Sequence, residues 1–504
     1  MNLKIKCRLF GVCAIVLLCI GLTYKFFQND TFYIIKLGEF IKKNGIDLID
    51  HYSWVANLSY TYPHWLYDLF IYEIYHNFNY FGIYIATIIM FIIFVLCIYF
   101  VHLKSYKNEL LTVFVVVISV FRLSMFAVAR AQIVSLPLFL LEVYFLKQLS
   151  ETGKKRYIIY LACCSLLIAN IHATVWLFFF VLFLPFLGEH FVKWLFDCNL
   201  FKKIYKIDYI KNKAKVIVEK NINLKKILIA LSISFLMGLL TPSRICYSYV
   251  FKVMNGNSQD ILTEHFPLVV MEHPFFLVAI IIFLAVVIFT KTKIYLKELF
   301  MIGGLFLMSL ISVRHLSFFY TIGLLDIVII CNRYLEEVGD KTLDILGKII
   351  FQKKYIWGSL LIIIAIFSGI KFLEHTKEEY VLKDEYPVNA VTYIKDNLNY
   401  REMKLFNSYN YGSYLLFKDI PVFIDSRCDL YLKEFNGMDY SIFNELNNIA
   451  FKYEQVFVKY DVTHVLISKS EVLSVVLAKD SNYKNIYEDD YFVLFERGGV
   501  ESKV

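Results

Sequence analysis

The sequence predicts an all-α polytopic membrane domain of about eleven transmembrane helices, followed by a small α/β domain outside the membrane. Of the 504 residues, 58% are hydrophobic and 18% are aromatic, and the mean hydropathy is +0.57. Only 19% are charged, whereas an average soluble domain has about 25%. Long apolar runs that contain few Gly and Pro residues favour helices. This composition excludes a soluble globular enzyme, a disordered chain and a disulfide-framed secreted module.

The charge is distributed unevenly along the chain. The net charge is +8, but the tail from His375 onward carries fifteen Lys and Arg against twenty-one Asp and Glu. A basic membrane part joined to an acidic tail is what the positive-inside rule produces. The sequence has no aromatic-basic pattern that would indicate nucleic-acid binding. Most of the 10 cysteines lie within apolar runs, which predicts free thiols and neither a disulfide framework nor a zinc site.

Eleven apolar runs match, or nearly match, the roughly 17–25 residues that span a bilayer. The first run has a basic start but no small-residue cleavage site, so it is interpreted as an anchor. The fifth and sixth runs are short, and one broken span is an alternative interpretation of the pair. The segment His64–His76 is shorter still and is placed at the membrane interface. The predicted spans lie near residues 9–27, 80–101, 110–128, 131–149, 157–170, 173–188, 227–243, 275–290, 298–313, 315–331 and 355–373.

The basic residues of the connecting loops predict the orientation. Eleven spans place alternate loops on opposite sides of the membrane, and one set of loops carries twenty-seven Lys and Arg against seven in the other. The Lys-rich connector Lys193–Lys226 belongs to the richer set. The positive-inside rule therefore places this connector and the N-terminus in the cytoplasm and the acidic tail outside. The predicted location is the bacterial cytoplasmic membrane.

The chain is predicted to divide near residue 374 into a membrane domain (1–374), with a large first outer loop (28–79), and an outer domain (375–504). The outer domain has the size of one small domain. Its pattern predicts a helix at Pro387–Leu398, a helix at Ser441–Phe451 and a terminal hairpin. The predicted β pieces are Met403–Phe406, Val422–Ile424, Val462–Ile467, Asn485–Glu488 and Tyr491–Arg497.

In this orientation, the distinctive polar residues gather at the outer ends of the spans. Ionisable residues at such positions are functional candidates, because burying them near lipid is costly. Arg130, His172, Arg314 and His315 are flanked by apolar residues, which favours a buried polar site over simple solvation at the interface. The predicted cytoplasmic loops carry mainly Lys-rich connectors, and no GxGxxG or Walker sequence indicates a nucleotide site there.

The first outer loop, residues 29–68, reads NDTFYIIKLGEFIKKNGIDLIDHYSW…YPHWLYD. Its distinctive positions are Asp30, Gly38, Gly45, Asp50, Ser53, His64, Trp65 and Leu66. In these residues the loop resembles the first loop of the GT-C superfamily of membrane glycosyltransferases, particularly its bacterial members. Further matches follow in order at Arg130–Gln132 (RAQ), Asn170–His172 (NIH), Thr241–Pro242 (TP) and Arg314–His315 (RH).

The tail carries the remaining matches. Asn410–Leu415 (NYGSYL) and Val422–Tyr431 (VFIDSRCDLY) resemble the family's "GGYL" and "VFIDGR-DLY" segments. Ser413 and Ser426 stand where glycines are often found. The NYG sequence loosely resembles the "WWDYG" motif of oligosaccharyltransferases, but its Trp residues and acid are absent, so peptide acceptors are not inferred.

The resemblance implies a reaction and a set of roles. A sugar would pass from a polyprenyl-phosphate-linked donor to an extracytoplasmic acceptor hydroxyl on a glycan, lipid or protein, with inversion by single displacement. This chemistry needs a carboxylate near the hydroxyl and cations at the departing phosphate. The resemblance assigns catalysis to Asp30 and Asp50, donor phosphate binding to Arg130, Arg314, His315 and Arg244, and substrate binding to His64, His172, Tyr411, Asp425 and Arg427. It leaves room for a divalent metal ion between Asp30, Asp50 and the phosphate, although no ligand spacing requires one.

Alternatives remain open at this point. Asp30 precedes Thr31 at the start of an amphipathic helix expected at Phe32–Asn44, where an N-cap role is the other interpretation. Asp425 and Arg427 are expected to contact the acceptor or dock onto the outer loop, or else to form a local ion pair that fixes their turn. For the whole protein, two classes other than a glycosyltransferase remain: a transporter or flippase of lipid-linked glycans, and a non-catalytic assembly or sensor protein.

Overall fold

The computed structural model describes residues 3–55, 58–197, 215–219, 223–255 and 266–498. Most of the predicted connector Lys193–Lys226 lies outside the described residues. Two short strands, β1 (Val216–Ile217) and β2 (Ile294–Tyr295), pair in parallel. The α-helices of the first part are α1 (Leu3–Leu22), α2 (Asn29–Asn44), α3 (Trp65–Tyr106), α4 (Glu109–Leu123), α5 (Gln132–Thr152), α6 (Arg156–Ile171), α7 (Trp176–Val181), α8 (Leu184–Asp197), α9 (Leu224–Leu236), α10 (Ile245–Asn255), α11 (Pro274–Phe289), α12 (Leu296–Ile311), α13 (Leu324–Glu337), α14 (Thr342–Gln352) and α15 (Lys354–Lys377).

The predicted count of eleven spans is not confirmed. Among the described residues, 7 helical segments are long and apolar enough to cross a membrane, or up to 8 if the bent pair Leu224–Leu240 and Ile245–Lys252 is one span. Two shorter apolar helices, α6 and α11, coincide with further predicted spans. The interfacial segment that was predicted before the second span is continuous with α3, which bends where Asn79 adopts a φ of 52°.

Site-directed labelling tests the predicted orientation, which remains a prediction. Lys155, between α5 and α6, and Lys479, in the tail, are both exposed. In a cysteine-free background, a cysteine at position 155 should react with a membrane-impermeant maleimide only after the cytoplasmic side is opened. A cysteine at position 479 should react in intact cells. Labelling of both positions from the same side would contradict the proposed arrangement.

The tail folds as an α/β unit around a four-stranded sheet in the order β3-β4-β6-β5. β3 and β4 are parallel, and the other neighbours are antiparallel. The strands are β3 (Leu405–Asn407), β4 (His464–Ser468), β5 (Tyr483–Glu488) and β6 (Phe492–Arg497). The helices are α16 (Val388–Asn397), α17 (Tyr409–Phe417), α18 (Lys433–Asn436), α19 (Phe443–Leu446), α20 (Ile449–Lys459) and α21 (Val472–Leu477).

Most of the elements predicted for the tail are confirmed, including the terminal hairpin, in which β5 pairs with β6. Two predictions were wrong. Val422–Ile424 is not a strand of the sheet, because Val422 makes a single parallel bridge to Ser53 of the outer loop instead. The single helix predicted at Ser441–Phe451 is replaced by α19 and α20, which are separated by Asn448 with a φ of 55°.

The tail and the first outer loop share one hydrophobic core. Phe32 on α2 is fully buried, and its ring packs against Tyr386, Tyr414 and Phe417 of the tail. Backbone hydrogen bonds join the same parts: Trp54 N donates to Val422 O at 3.0 Å, and Val422 N donates to the Tyr52 carbonyl at 3.1 Å. Burial of this aromatic surface stabilises the contact. The outer loop and the tail therefore lie in a fixed relation to each other.

The other face of α2 packs tightly on α3. A Cβ atom added at Gly38 would lie 2.1 Å from the carbonyl oxygen of Asp68. Only a residue without a side chain allows this approach of two helix backbones. The glycine of the loop pattern therefore sets the position of α2 and of the polar residues at its N-terminus.

Candidate active site

A cavity of about 520 Å³ lies between the ends of the membrane helices and the tail. One wall comes from the first part of the chain and includes Asp30, Arg130 and Arg314. The other wall comes from the tail and consists of Tyr409 and the segment Ser426–Asp429. The cavity is therefore composite, and neither part of the chain encloses it alone.

Asp30 forms an ion pair with Arg130 at the cavity wall. Arg130 Nη2 lies 2.5 Å from Asp30 Oδ2, and the two side chains are 26% and 14% exposed. Arg130 is on the tight turn immediately before α5. α2 begins at Asn29 with Gln28 as its N-cap residue, three residues earlier than predicted. Asp30 is therefore not the N-cap residue but lies in the first helical turn, where a negative charge is favoured by the helix dipole.

Arg314 and His315 reach the same cavity from the turn that follows α12. His315 Nδ1 lies 3.0 Å from the carbonyl oxygen of Met308, which fixes the ring. Arg314 and Arg130 come from different helix ends, and both line the cavity. The structure thus gathers cations from separate elements at one polar site.

Two histidines complete this wall. The rings of His64 and His172 meet edge to face with centroids 4.9 Å apart, and His172 Nδ1 lies 2.9 Å from the Ser135 hydroxyl. Burial, together with the positive charges of Arg314 and Arg130, lowers the pKa of His64 to about 3. His64 is therefore a neutral hydrogen-bonding group at neutral pH and adds no positive charge to the cavity.

Arg427 ties the outer loop to the tail through two carboxylates. Its guanidinium donates to Asp425, with Nε–Oδ1 at 2.9 Å and Nη2–Oδ2 at 2.6 Å, and through Nη1 to Asp50 Oδ1. Tyr431 also donates to Asp425 Oδ2 at 2.6 Å. The ionic side chains of Asp50, Asp425 and Arg427 are at most 1% exposed. Two alternatives that the sequence left open are thus both present: the pair fixes its turn and docks the tail onto the outer loop.

Asp50 is not brought to the cavity, although the sequence grouped it with Asp30. Its second oxygen accepts from the backbone N–H of Ser53 at 2.7 Å, and its first is held by Arg427. A buried carboxylate with these hydrogen bonds stabilises the contact between the outer loop and the tail. Asp425, equally buried, is not a lining residue either.

Two other predicted residues lie away from the cavity. Tyr411 is buried inside the tail, where its hydroxyl donates to Leu466 O at 2.8 Å. Arg244 is exposed on the turn before α10 and is not among the described residues that line the cavity. A position at the predicted outer end of a span is therefore not enough to place a residue at the cavity.

Gly412, Ser413 and Ser426 make close contacts between the NYG segment and the turn that carries Arg427. A Cβ atom at Gly412 would lie 2.0 Å from the carbonyl oxygen of Ile424, so α17 packs directly on the backbone before the ion-pair turn. Ser413 Oγ lies 2.8 Å from Ser426 Oγ and accepts from the Ser426 N–H at 3.1 Å. The two departures from the family pattern thus bond to each other.

Asp429 is a cavity residue that the sequence analysis missed. It lies on the 3₁₀ turn Cys428–Tyr431, is half-buried and lines the tail wall. Burial raises the pKa of Asp429 to about 7. The residue falls within the quoted segment VFIDSRCDLY, but only the docking of the tail reveals that it reaches the cavity.

The residues do not fit a metal ion held between Asp30 and Asp50. The Asp50 oxygens are engaged by Arg427 and by backbone N–H groups, and Asp30 faces Arg130. Within the part of the chain that the structure describes, no group of three or more metal-binding side chains comes together.

The fold is similar to that of several solved membrane-protein structures, and it confirms the predicted fold class of a helical membrane domain followed by a small α/β domain. The apo oligosaccharyltransferase from Archaeoglobus fulgidus matches with a TM-score of 0.58 and 11% identity, over 92% of this chain and 69% of that one. AglB from the same organism, in complex with an inhibitory peptide and a dolichol-phosphate, matches with a TM-score of 0.55 and 11% identity, over 94% and 72%. ArnT from Cupriavidus metallidurans in the apo state matches with a TM-score of 0.50 and 11% identity, over 97% of both chains. No protein-family model and no curated protein matches the chain.

Proposed function

We propose that this chain is an integral membrane glycosyltransferase that transfers a sugar from a polyprenyl-phosphate-linked donor to an acceptor hydroxyl outside the cytoplasm. The observation that carries the proposal is the composite cavity, which joins a carboxylate, Asp30, to Arg130 and Arg314. The fold agrees with this activity, because the similar A. fulgidus structure holds a dolichol-phosphate and a peptide. The bacterial cytoplasmic membrane and an outward-facing cavity are parts of the same proposal.

The cations bind the donor in this mechanism. Arg130 and Arg314 bind the phosphate through planar guanidinium groups, which match two phosphate oxygens at once. His315 adds a further hydrogen-bonding group nearby. As the bond from the anomeric carbon to the phosphate oxygen breaks, these groups stabilise the charge that develops on the leaving phosphate.

Asp30 acts on the acceptor. Its carboxylate accepts the proton of the acceptor hydroxyl, whose oxygen attacks the anomeric carbon from the face opposite the phosphate. A single displacement inverts the anomeric configuration. Arg130 holds the Asp30 carboxylate in place, so one cation serves both the base and the donor. His64 and His172, on the same wall, supply neutral hydrogen-bonding groups to the sugar.

Transfer in proteoliposomes tests this function. The purified wild-type protein, supplied with a panel of polyprenyl-phosphate hexoses and cell-envelope glycan acceptors, should release polyprenyl phosphate and form a new glycoside detectable by mass spectrometry. Movement of the intact lipid-linked sugar across the bilayer without a new glycoside would favour a flippase instead. Retention of the donor with neither transfer nor movement would favour a non-catalytic protein.

Arg314→Lys is expected to weaken donor binding although it keeps the positive charge. A lysine cannot form the forked pair of hydrogen bonds, and the loss of one charge-assisted bond corresponds to roughly ten-fold or more in affinity. Binding of a polyprenyl phosphate, measured by microscale thermophoresis in detergent, checks this. Arg244→Lys, the same change at an exposed arginine away from the cavity, is the matched control. Equal affinity in wild type, Arg314→Lys and Arg130→Ala would remove the phosphate site from these residues.

A further inference from the structure

The turn Cys428–Tyr431 presents Asp429 to the cavity on a rigid support. Its backbone is closed by hydrogen bonds from Leu430 N to Arg427 O at 2.9 Å and from Leu432 N to Asp429 O at 3.2 Å. The neighbouring side chains Leu430 and Tyr431 are at most 1% exposed. The buried ion-pair network of Arg427 precedes the turn directly, so the position of Asp429 is fixed by the docking of the tail.

Asp429 has no partner of its own within the described residues. The nearest guanidinium along the chain, that of Arg427, gives its side-chain hydrogen bonds to Asp425 and Asp50. Burial raises the pKa of Asp429, and no cation of the described residues offsets this effect. A half-buried carboxylate without a partner carries a desolvation cost that a ligand can relieve. Among the described residues, the titratable and charged groups that share the cavity with Asp429 are Asp30, His64, Arg130, His172, Arg314, His315 and Arg427, together with Tyr33, Tyr60, Tyr249, Tyr409 and Cys428.

We propose that Asp429 is a substrate-binding residue of the tail that accepts a hydrogen bond from a sugar hydroxyl in the cavity. This inference rests on the proposed function. The cations of the opposite wall suit the phosphate of the donor, whereas an unpaired carboxylate suits neutral hydroxyl donors and repels phosphate. The hydroxyl belongs either to the donor sugar or to a carbohydrate acceptor. In both cases the tail contributes to substrate specificity as well as to the enclosure of the cavity.

Steady-state kinetics of Asp429→Ala separate the two sources of the hydroxyl. Loss of a charge-assisted hydrogen bond should raise KM by roughly ten-fold or more, with a smaller change in kcat. A raised KM for the donor assigns the hydroxyl to the donor sugar, and a raised KM for the acceptor assigns it to the acceptor. Asp439→Ala, at an exposed carboxylate of the same tail, is the matched control and should behave as wild type.

The pH profile distinguishes binding from a merely structural role. An ionised carboxylate accepts hydrogen bonds more strongly than a neutral acid, and the pKa of Asp429 is about 7. The affected KM should therefore fall as the pH rises from about 6 to 8 in the wild type and stay flat in Asp429→Asn, which keeps size and hydrogen bonding. This second variant also keeps the test decisive if the alanine variant does not fold.

The outcomes that overturn the inference differ from those that overturn the function. If the wild type transfers sugar but Asp429→Ala leaves both KM values unchanged, Asp429 does not bind substrate while the glycosyltransferase function stands. The same conclusion follows if folded Asp429→Asn keeps the wild-type pH profile of KM. If the wild type transfers no sugar with any donor of the panel, the proposed function fails, and the inference fails with it.

Discussion

Asp30→Asn is expected to lower the rate of sugar transfer by about 10²–10⁴-fold, the usual contribution of a positioned general base. The amide cannot take the proton of the acceptor hydroxyl, but its oxygen can still accept a hydrogen bond from Arg130. The fold and donor binding should therefore persist. Transfer rates at saturating donor, together with binding of a polyprenyl phosphate, measure the two effects separately.

A matched control for this variant lies in the same outer loop. Asp47 is 39% exposed and pairs with His51, so Asp47→Asn changes an identical functional group without reaching the cavity. It should transfer sugar at the wild-type rate. A folded, membrane-inserted Asp30→Asn protein with near wild-type transfer would show that Asp30 is not the base. Asp50→Asn should affect stability more than chemistry, since Asp50 lies in the buried network.

Arg427→Ala is expected to destabilise the protein by about 3–5 kcal/mol, because it leaves buried carboxylates without their cation. Asp50 and Asp425 would each lose their bonds to the guanidinium, and the rings of Tyr60 and Tyr52 would lose the cation that lies 5.1 and 5.6 Å from their centroids. Thermal unfolding in detergent measures the loss of stability. Limited proteolysis should also release the tail more readily, because the network joins it to the outer loop.

Arg401→Ala provides the control, because Arg401 is an exposed arginine of the same tail. This substitution should change the free energy of unfolding only slightly. The energetic coupling between Arg427 and Asp50 can be measured by combining Arg427→Ala with Asp50→Ala in a double-mutant cycle. If Arg427 and Asp50 act as one unit, the double variant should be less unstable than the sum of the two single variants. Additive effects, or an Arg427→Ala protein as stable as the control, would mean that the network does not hold the two parts together.

The sequence predicted the class of fold and the larger elements for identifiable reasons. Apolar length indicated membrane helices, and the β pieces Asn485–Glu488 and Tyr491–Arg497 on either side of Asp489–Asp490 indicated the hairpin that β5 and β6 form. The ends of elements were harder to predict. α2 starts at Asn29, and the chain just before it is held by the tail, where Phe27 N donates to Tyr380 O at 2.9 Å. That contact is not visible in local sequence.

The site was predicted only in part because its chemistry depends on distant partners. Arg130 and Arg314 could be identified as span-end cations within apolar surroundings. Asp50 and Asp30 looked equivalent, since both are acids of one loop that fall on the same pattern. Only the docking of Arg427 distinguishes them, by engaging Asp50 and leaving Asp30 at the cavity. For the same reason, Asp429 became a candidate only when the tail wall was known.

The long separation of the cavity walls along the chain also determines when the site can assemble. Asp50 and Arg427 are 377 residues apart, so their contact closes one of the longest loops in the molecule, and contacts of this kind form late in folding. The membrane helices can insert before residues 405–498 are synthesised, but the tail wall cannot form until then. A chain that lacks the tail therefore has the cationic wall without its counterpart, and the complete cavity appears only after the tail has folded against the first outer loop.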